Sequence, residues 1–456
     1  MALIATPQGT RHPRAVKARG VHIEDENGQS WLDGSSGAIA CSIGHGHPKV
    51  LAAMQQQASR TSFLYRTQFT NAPSEQLADR LCDRLGYDGA FFVNSGSEAV
   101  EAAIRLAQQF WRVQGKPEKR KILSRRISYH GTTVTALGLS GHWQRRRDAG
   151  GTLPEDPSVH TPYCLRCPLG HRQHSCGFAC ADMLEHDILR HGSGHIAAII
   201  LEPITGASGA AIVPPPGYLR RIRSICDRHD ILLIADEILT GLGRTGKWLA
   251  LDHDSITADI LCLGKGLNAG YFPISAILAK KRIHDALARA GVSLSSGHTH
   301  SNHPVGAAVA NAVLDILEED SLVERGAFMG KYLEQQLRPL VAESDIIGDL
   351  RGCGMLWGLE LVSDTENLEP FPPALNAAAR ATQHAFENGL IVYPASGFIN
   401  GAAGDAIIIA PPLTVTKEEI GSLCSRLSRA LQQTAAELFM KQNRSDSCQV
   451  SNSSQA

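Results

Sequence analysis

Four short runs of almost unbroken apolar residues in the middle of the chain constrain the fold most tightly. Ala90 to Asn94 (AFFVN), His195 to Glu202 (HIAAIILE), Ile231 to Glu237 (ILLIADE) and Asp259 to Leu263 (DILCL) are of strand length and lack the polar alternation of a sheet with one wet face. Strands of that kind are covered on both faces, as in parallel sheets whose crossovers are helices. The intervening sequence supplies such helices. Glu98 to Gln114 sets Val100, Ile104, Ala107 and Trp111 at three- and four-residue spacing, with polar residues between them facing outward. The pattern predicts an α/β fold with a mostly parallel central sheet, and a composition of 43% hydrophobic and 20% charged residues over 456 positions can fill a large core.

A different style of sequence brackets this centre. A glycine-rich section from Trp31 to Pro48 precedes it, and a section after Lys331 follows, with strands at Met355 to Val362 and Ala406 to Ile409 and a helix from Ala374 to Asn388 stopped by Gly389. The expected organisation is an N-terminal segment (1–60) and a C-terminal segment (331–440) forming one smaller α+β domain around a large domain (61–330). The Ser-, Asn- and Gln-rich stretch 441–456 lacks apolar residues to bury and is expected to be a disordered tail. Lys plus Arg number 44 against 45 Asp plus Glu, so the basic surplus of a nucleic-acid-binding protein is absent. The short run Gln144-Arg145-Arg146-Arg147 reads as a solvated loop. Pro7, Arg11, His12, Pro13 and Arg14 break up the first 20 residues, leaving no apolar stretch of the about 7 to 15 residues that a secretory signal needs. No membrane span is evident, so a cytoplasmic location is expected, with most of the 11 cysteines reduced and Cys41, Cys82, Cys226, Cys262, Cys353 and Cys424 acting as small hydrophobes.

Three elements carry chemistry. The strand AFFVN runs through Ser95-Gly96-Ser97-Glu98 into a helix, where small residues, free N–H groups and the helix dipole make an anion site, although the same pattern also describes a plain capping box. Asp236 and Glu237 close the most apolar strand, the position from which an acid addresses a bound cofactor in an open α/β sheet. Lys265 follows another buried strand between Gly264 and Gly266, where a partly desolvated amine can form a Schiff base with a carbonyl. A phosphate at Ser95 to Ser97, a ring nitrogen facing Asp236 and an aldehyde on Lys265 together describe pyridoxal 5'-phosphate.

From about Val21 to Leu438 the sequence resembles the class III (ω) aminotransferases, enzymes of the aspartate aminotransferase-like fold type I. SGSEA (Ser95 to Ala99) is similar to the family's phosphate loop, Tyr129-His130-Gly131 to its aromatic-His-Gly motif, and DEILTGLGRTG (Asp236 to Gly246) to its long acidic motif. The resemblance implies that Ser95, Gly96 and Ser97 hold the phosphate, Tyr129 stacks on the ring, Asp236 faces the pyridine nitrogen, Ile238 lies on the opposite ring face and Lys265 carries the aldehyde. GHTHSNHP (Gly297 to Pro304) is similar to the segment whose threonine, here Thr299, reaches the phosphate of a neighbouring subunit, which implies a homodimer. The implied activity is ping-pong transfer of an amino group from an amine or amino acid to a keto acid such as pyruvate. A racemase, epimerase or lyase on the same fold is the alternative.

The sequence also departs from that pattern. Alanine (Ala207) stands where many 2-oxoglutarate-using members place a glutamate after the Glu202-Pro203-Ile204 motif, and Ile408 where they place an arginine. Losing both together is coherent, since either charge alone would be buried without a partner. The substrate side built from Ala207 and Ile408 leans toward ω-amine donors over dicarboxylic amino acids. Phe398 to Asp405 (FINGAAGD) also lacks the arginine some amine:pyruvate members carry, which leaves carboxylate recognition to a candidate such as Arg66. Cys164-x-x-Cys167, with Cys176, Cys180, His171 and His174, has a zinc-like first spacing, but unliganded thiol packing or a disulfide in an insertion over the cleft is the preferred reading and no metal is assigned; a metal there would be structural. His298, His300 and His303 suggest a metal only superficially, and His45 and His47 are read as turn residues near the cleft.

Overall fold

The computed structural model describes residues 12–153, 157–172 and 175–453, with side chains described to residue 441. Its centre is a six-stranded sheet in the order Gly89–Val93, Ser275–Ala279, Ile260–Leu263, Leu232–Asp236, Ile196–Leu201, Lys121–Leu123. The last four strands are parallel, and Ser275–Ala279 runs antiparallel to both of its neighbours. The strands are apolar throughout because the period of two divides each between separate cores. Ala198, Ile200, Leu232, Ile234, Ile260 and Cys262 meet Ala99, Ala103, Ile104 and Ala107 of the Gly96–Val113 helix on one face. Ile199, Leu201, Leu233, Ala235, Leu261 and Leu263 pack in the other core with Leu184 and Ile188 of the Ala179–His191 helix and Leu219, Ile222 and Ile225 of Tyr218–Arg228. The expected α/β architecture is present; three of the expected strands lie side by side, while Gly89–Val93 is set apart from them by Ser275–Ala279, a strand the sequence reading did not single out.

The two chain ends meet. Ala15–Arg19, His22–Asp25 and Ser30–Asp33 form an antiparallel meander whose free edge is taken, in parallel, by Leu390–Ile391. Gly34 donates to Ile391 O at 2.9 Å and accepts from Ala410 N at 2.8 Å, so one glycine bonds two C-terminal segments. The remaining sheet is antiparallel, in the order Ile347–Cys353, Leu356–Asp364, Ala403–Ile409, Tyr393–Ile399. The Ala377–Glu387 helix does stop at Gly389, whose φ of +74° suits a residue without a Cβ. The final helix spans Lys417–Ser453, and the side chains of 442–456, where the disordered tail is expected, lie outside the described residues. Among the described residues no helix is long and apolar enough to cross a membrane.

Candidate active site

The site lies beyond the carboxyl ends of the parallel strands. Leu232–Asp236 delivers Asp236 and Glu237 together, and their partners send them to different tasks. Glu237 accepts from Leu251 N at 2.9 Å and from the Thr240 hydroxyl, and burial raises its pKa to about 7, so it fastens the following loop. Asp236 accepts from Ile238 N at 3.2 Å and meets His130 Nδ1 at 2.7 Å. A carboxylate acceptor puts the His130 proton on Nδ1, which leaves Nε2 buried with no hydrogen-bond partner among the described residues.

Lys265 follows the buried Ile260–Leu263 strand, held at a left-handed φ of +36° in a short 3₁₀ turn. Such strain in a non-glycine residue persists where the surroundings over-determine it, characteristically at functional sites. Although the residue keeps some exposure, its amine is enclosed and makes no hydrogen bond or ion pair with a described residue. Burial lowers its pKa from 10.5 to about 8, against the opposing attraction of Glu202 and Asp236 and with help from the charges of Arg244 and Arg145. Glu202 is fully enclosed, accepts from Tyr129 N and Gly206 N, both at 2.8 Å, and has its own pKa raised chiefly by burial.

The phosphate-loop candidates open the Gly96–Val113 helix. Ser95 is its N-cap, with Oγ accepting from Glu98 N at 3.2 Å, while Glu98 reaches back to Asn94 N at 2.7 Å. Only half of the capping box is present, because Glu98 takes the N–H of Asn94, the residue before the cap, rather than that of Ser95; the first-turn N–H groups of Gly96 and Ser97 are left for a ligand. Ser97 Oγ accepts from Thr132 N at 3.0 Å, which ties this turn to the Tyr129-His130-Gly131 segment. Gly131, at φ +133°, lies so close to Ser97 that a Cβ would collide with its side chain. Ile238 lies between the two loops: a Cβ on Gly96 would come 3.0 Å from Ile238 Cδ1, and one on Gly264 would come 3.1 Å from Ile238 Cγ2. Gly96, Ile238, Gly264 and Lys265 thus form one floor, with Asp236 and His130 beside it.

These residues fit pyridoxal phosphate. An unpartnered enclosed amine is available for the aldehyde, a fixed carboxylate for the ring nitrogen, a helix N-terminus for the phosphate and an aliphatic side chain for a ring face. Thr299 is not among the residues so assembled. It is exposed on an outer loop beside His298, whose Nδ1 stands 3.7 Å from Glu98 Oε1. Arg66 is also elsewhere, donating to Ser296 O at 3.3 Å and lying over Phe91.

Sequence reasoning missed two contributors. His130 carries the Asp236 contact; its place next to Tyr129 in a recognised motif was the available signal. The basic run expected to be a solvated loop is instead a short helix, Trp143–Arg147. Arg146 Nη1 donates to Leu137 O, Gly138 O and Ser140 O at 3.1, 2.6 and 3.1 Å, satisfying carbonyls at the end of the preceding helix. Arg145 lies over the Tyr129 ring, 4.8 Å from its centre. His45 is more than a turn residue, bonding Asp33 at 3.1 Å. Cys164, Cys167, Cys176 and Cys180 line one narrow cleft with His171, and burial raises the thiols of Cys164 and Cys180, the latter to about 11. Among the described residues no group of three or more ligands is arranged to hold a metal, and His174 lies outside them.

The profile of "Aminotransferase class-III" matches residues 5–431. An uncharacterised aminotransferase of Bacillus subtilis, YodT, is 41% identical over 94% of this chain and 97% of its own length. The putrescine–pyruvate aminotransferase of Pseudomonas aeruginosa is 34% identical over 92% of this chain and 91% of its own. Among solved structures, an amine transaminase from an uncultivated Pseudomonas species, in its PLP-bound form, superposes with a TM-score of 0.88 at 35% identity, covering 95% of this chain and 98% of that one. The ω-transaminase of Pseudomonas jessenii with PMP gives 0.87 at 33% identity over 94% of each chain. These comparisons favour amino-group transfer over the racemase or lyase alternative. With the family's fold, its motifs in order and the floor around Lys265 all present, the chain belongs to the class III aminotransferases, which are pyridoxal-phosphate-dependent transaminases.

Proposed function

We propose that this enzyme moves an amino group from an ω-amine, in preference to a dicarboxylic amino acid, to a keto acid such as pyruvate, with Lys265 and Asp236 as its catalytic residues. The observation that carries the reading is the enclosed Lys265 amine, which has no partner among the described residues and is close enough to Asp236 and Glu202 to feel their charge. Bound there, pyridoxal phosphate supplies an electron sink and an aldehyde carbon that carries the amino group between the substrates. Lys265 holds that carbon. Once displaced by the donor, its Nζ accepts the proton from the carbon bearing the donor amine, a task suited to an amine whose pKa of about 8 leaves part of it neutral near pH 7. Asp236, oriented by His130 Nδ1 and Ile238 N, keeps the ring nitrogen protonated. Ser95, Gly96 and Ser97 hold the phosphate, Tyr129 and Ile238 cover the ring faces, and Thr299 reaches the phosphate of a second copy in a homodimer.

The apolar environment supports the donor preference. Ile408 is fully buried with Ile204, Leu239 and Phe398, and Ala207 follows the Gly206 N–H that Glu202 holds. The same reading includes the division at residues 60 and 330 and a cytoplasmic location. The test is a half-reaction screen of the purified aldehyde-form enzyme, read by its absorbance near the visible edge. Simple amines should convert it, pyruvate should reverse the change, and Lys265→Ala should abolish both. Faster turnover of glutamate with 2-oxoglutarate would overturn the donor preference, and product formed without any keto acid would overturn transfer itself.

A further inference from the structure

A transaminase that exchanges amines for keto acids needs a cation that can meet a carboxylate and also do without one. Ala207 and Ile408 provide none, and Arg66, placed against Ser296 O and the Phe91 ring, is not among the charges that act on Lys265. Two arginines are close enough to influence the Lys265 amine. One of them, Arg244, is buried and committed, donating to Met355 O at 3.2 Å, Pro411 O at 2.6 Å and Ser36 Oγ at 3.2 Å. The other is Arg145. Its side chain is exposed, pairs with no carboxylate among the described residues, and rests on Tyr129 through one hydrogen bond of 3.4 Å to the phenol oxygen and the contact with the ring face. Both contacts are of the kind a carboxylate readily replaces.

The backbone beneath it is fixed. Arg146 anchors the helix to three carbonyls of the preceding segment. Gln144 Oε1 accepts from Ser396 Oγ at 3.0 Å, and the Trp143 ring lies so close to Gly401 that a Cβ there would come 2.8 Å from it, so the helix is braced on the Tyr393–Ile399 strand and the turn after it. A firm base with a lightly held guanidinium at its tip is the construction expected of a side chain that moves between two positions.

We infer that Arg145 binds the carboxylate of the keto acid acceptor, and of any amino acid donor, while staying on Tyr129 when the donor is an amine without a carboxylate. The inference rests on the transaminase reading of Lys265. A planar guanidinium offers two parallel donors to a carboxylate, which would orient the acceptor carbonyl toward the floor at Lys265.

The test separates the two half-reactions of the holoenzyme. Arg145→Ala should lower kcat/KM of the aminated enzyme for pyruvate by on the order of 10- to 100-fold, mostly through KM, as expected for a lost charge-assisted hydrogen bond. Conversion of the aldehyde form by a simple monoamine should fall by less than about threefold. Arg145→Lys should recover part of the pyruvate activity, and Arg147→Ala, an exposed neighbour, should match the parent in both. Equal losses in both half-reactions would assign Arg145 a structural role, and undiminished pyruvate kinetics would place carboxylate binding elsewhere; either overturns the inference. Failure of the transaminase reading itself would differ, because the unsubstituted enzyme would then not respond to the amine at all.

Discussion

Replacing Lys265 with Met should stabilise the cofactor-free protein at neutral pH while destroying its activity. The side chains are of similar length, and Met keeps the strained φ of +36°, so the substitution mainly removes the enclosed amine. In the folded chain that amine loses its proton at about 8 rather than 10.5 because burial penalises the charge. At 1.36 kcal/mol for each pKa unit the interval corresponds to roughly 3 kcal/mol of destabilisation. The sign follows from proton counting. Below pH 8 both folded and unfolded states are protonated and the penalty is complete; between 8 and 10.5 the unfolded state holds more proton and stability rises with pH; above 10.5 the penalty is gone. Urea denaturation of stripped parent and Lys265→Met proteins at a series of pH values measures this directly. The variant should be more stable by about 1 to 3 kcal/mol at pH 7, after allowance for water reaching the amine, with the gain fading toward pH 10.5. A stability difference independent of pH across that window would refute the claim that desolvation of Lys265 sets its basicity.

Three further outcomes follow from other parts of the structure. Gly131→Ala would set a Cβ against Ser97 at a φ of +133°, so the protein should lose about 1 to 3 kcal/mol of stability and release cofactor faster on dialysis. Glu360 is fully buried and receives Arg351 Nη1 at 2.6 Å, Arg166 Nε at 2.8 Å and the Tyr163 hydroxyl. Glu360→Leu would leave Arg351 enclosed without that partner and should cost about 3 to 5 kcal/mol by urea denaturation, with Glu360→Gln costing less. Hydrogen bonding to Asp33, and secondarily to Cys41, raises His45 from 6.5 to about 10, a contribution complete below pH 6.5 and lost as pH rises through 10; the stability advantage of the parent over His45→Gln should therefore shrink across that interval.

The parts of this protein that could be read in advance are those in which a local pattern has one physical solution. The stretches ILLIA (231–235) and IAAIIL (196–201) are apolar on every residue because helices cover both faces, and such a pattern is hard to satisfy except in a central parallel sheet. Lys265 and Asp236 were legible because a charged residue directly after a buried strand needs a ligand or partner, and Asp236 has His130. What could not be read depends on partners far apart in sequence. Nothing local distinguishes Asp236 from Glu237; only His130, Thr240 and Leu251, brought in by the fold, set one beside the floor at Lys265 and tie the other to its loop. The pairing of Leu390–Ile391 with Ser30–Asp33 is similarly long-range, and its strand of two residues carries no period at all. In the Gln144–Arg147 run the expected exposure holds for Gln144, Arg145 and Arg147, but the backbone is helical and Arg146 turns to the carbonyls of Leu137, Gly138 and Ser140, partners that composition does not reveal, while Arg145 rests on the face of Tyr129.

The balance at Lys265 shows why the surrounding residues are arranged as they are. Two carboxylates, Glu202 and Asp236, favour the charged amine, and two guanidinium groups, Arg244 and Arg145, oppose it. With the signs so matched, burial decides the outcome and the amine is less basic than an ordinary lysine. Each carboxylate is also restrained by other donors, Glu202 by Tyr129 N and Gly206 N and Asp236 by His130 and Ile238 N, so neither need close on Lys265 to satisfy itself. A direct ion pair would hold the proton on the lysine and engage the group that the proposed mechanism gives to the aldehyde. Keeping both acids near but occupied leaves the amine available, and the destabilisation worked out above is the thermodynamic consequence of that availability.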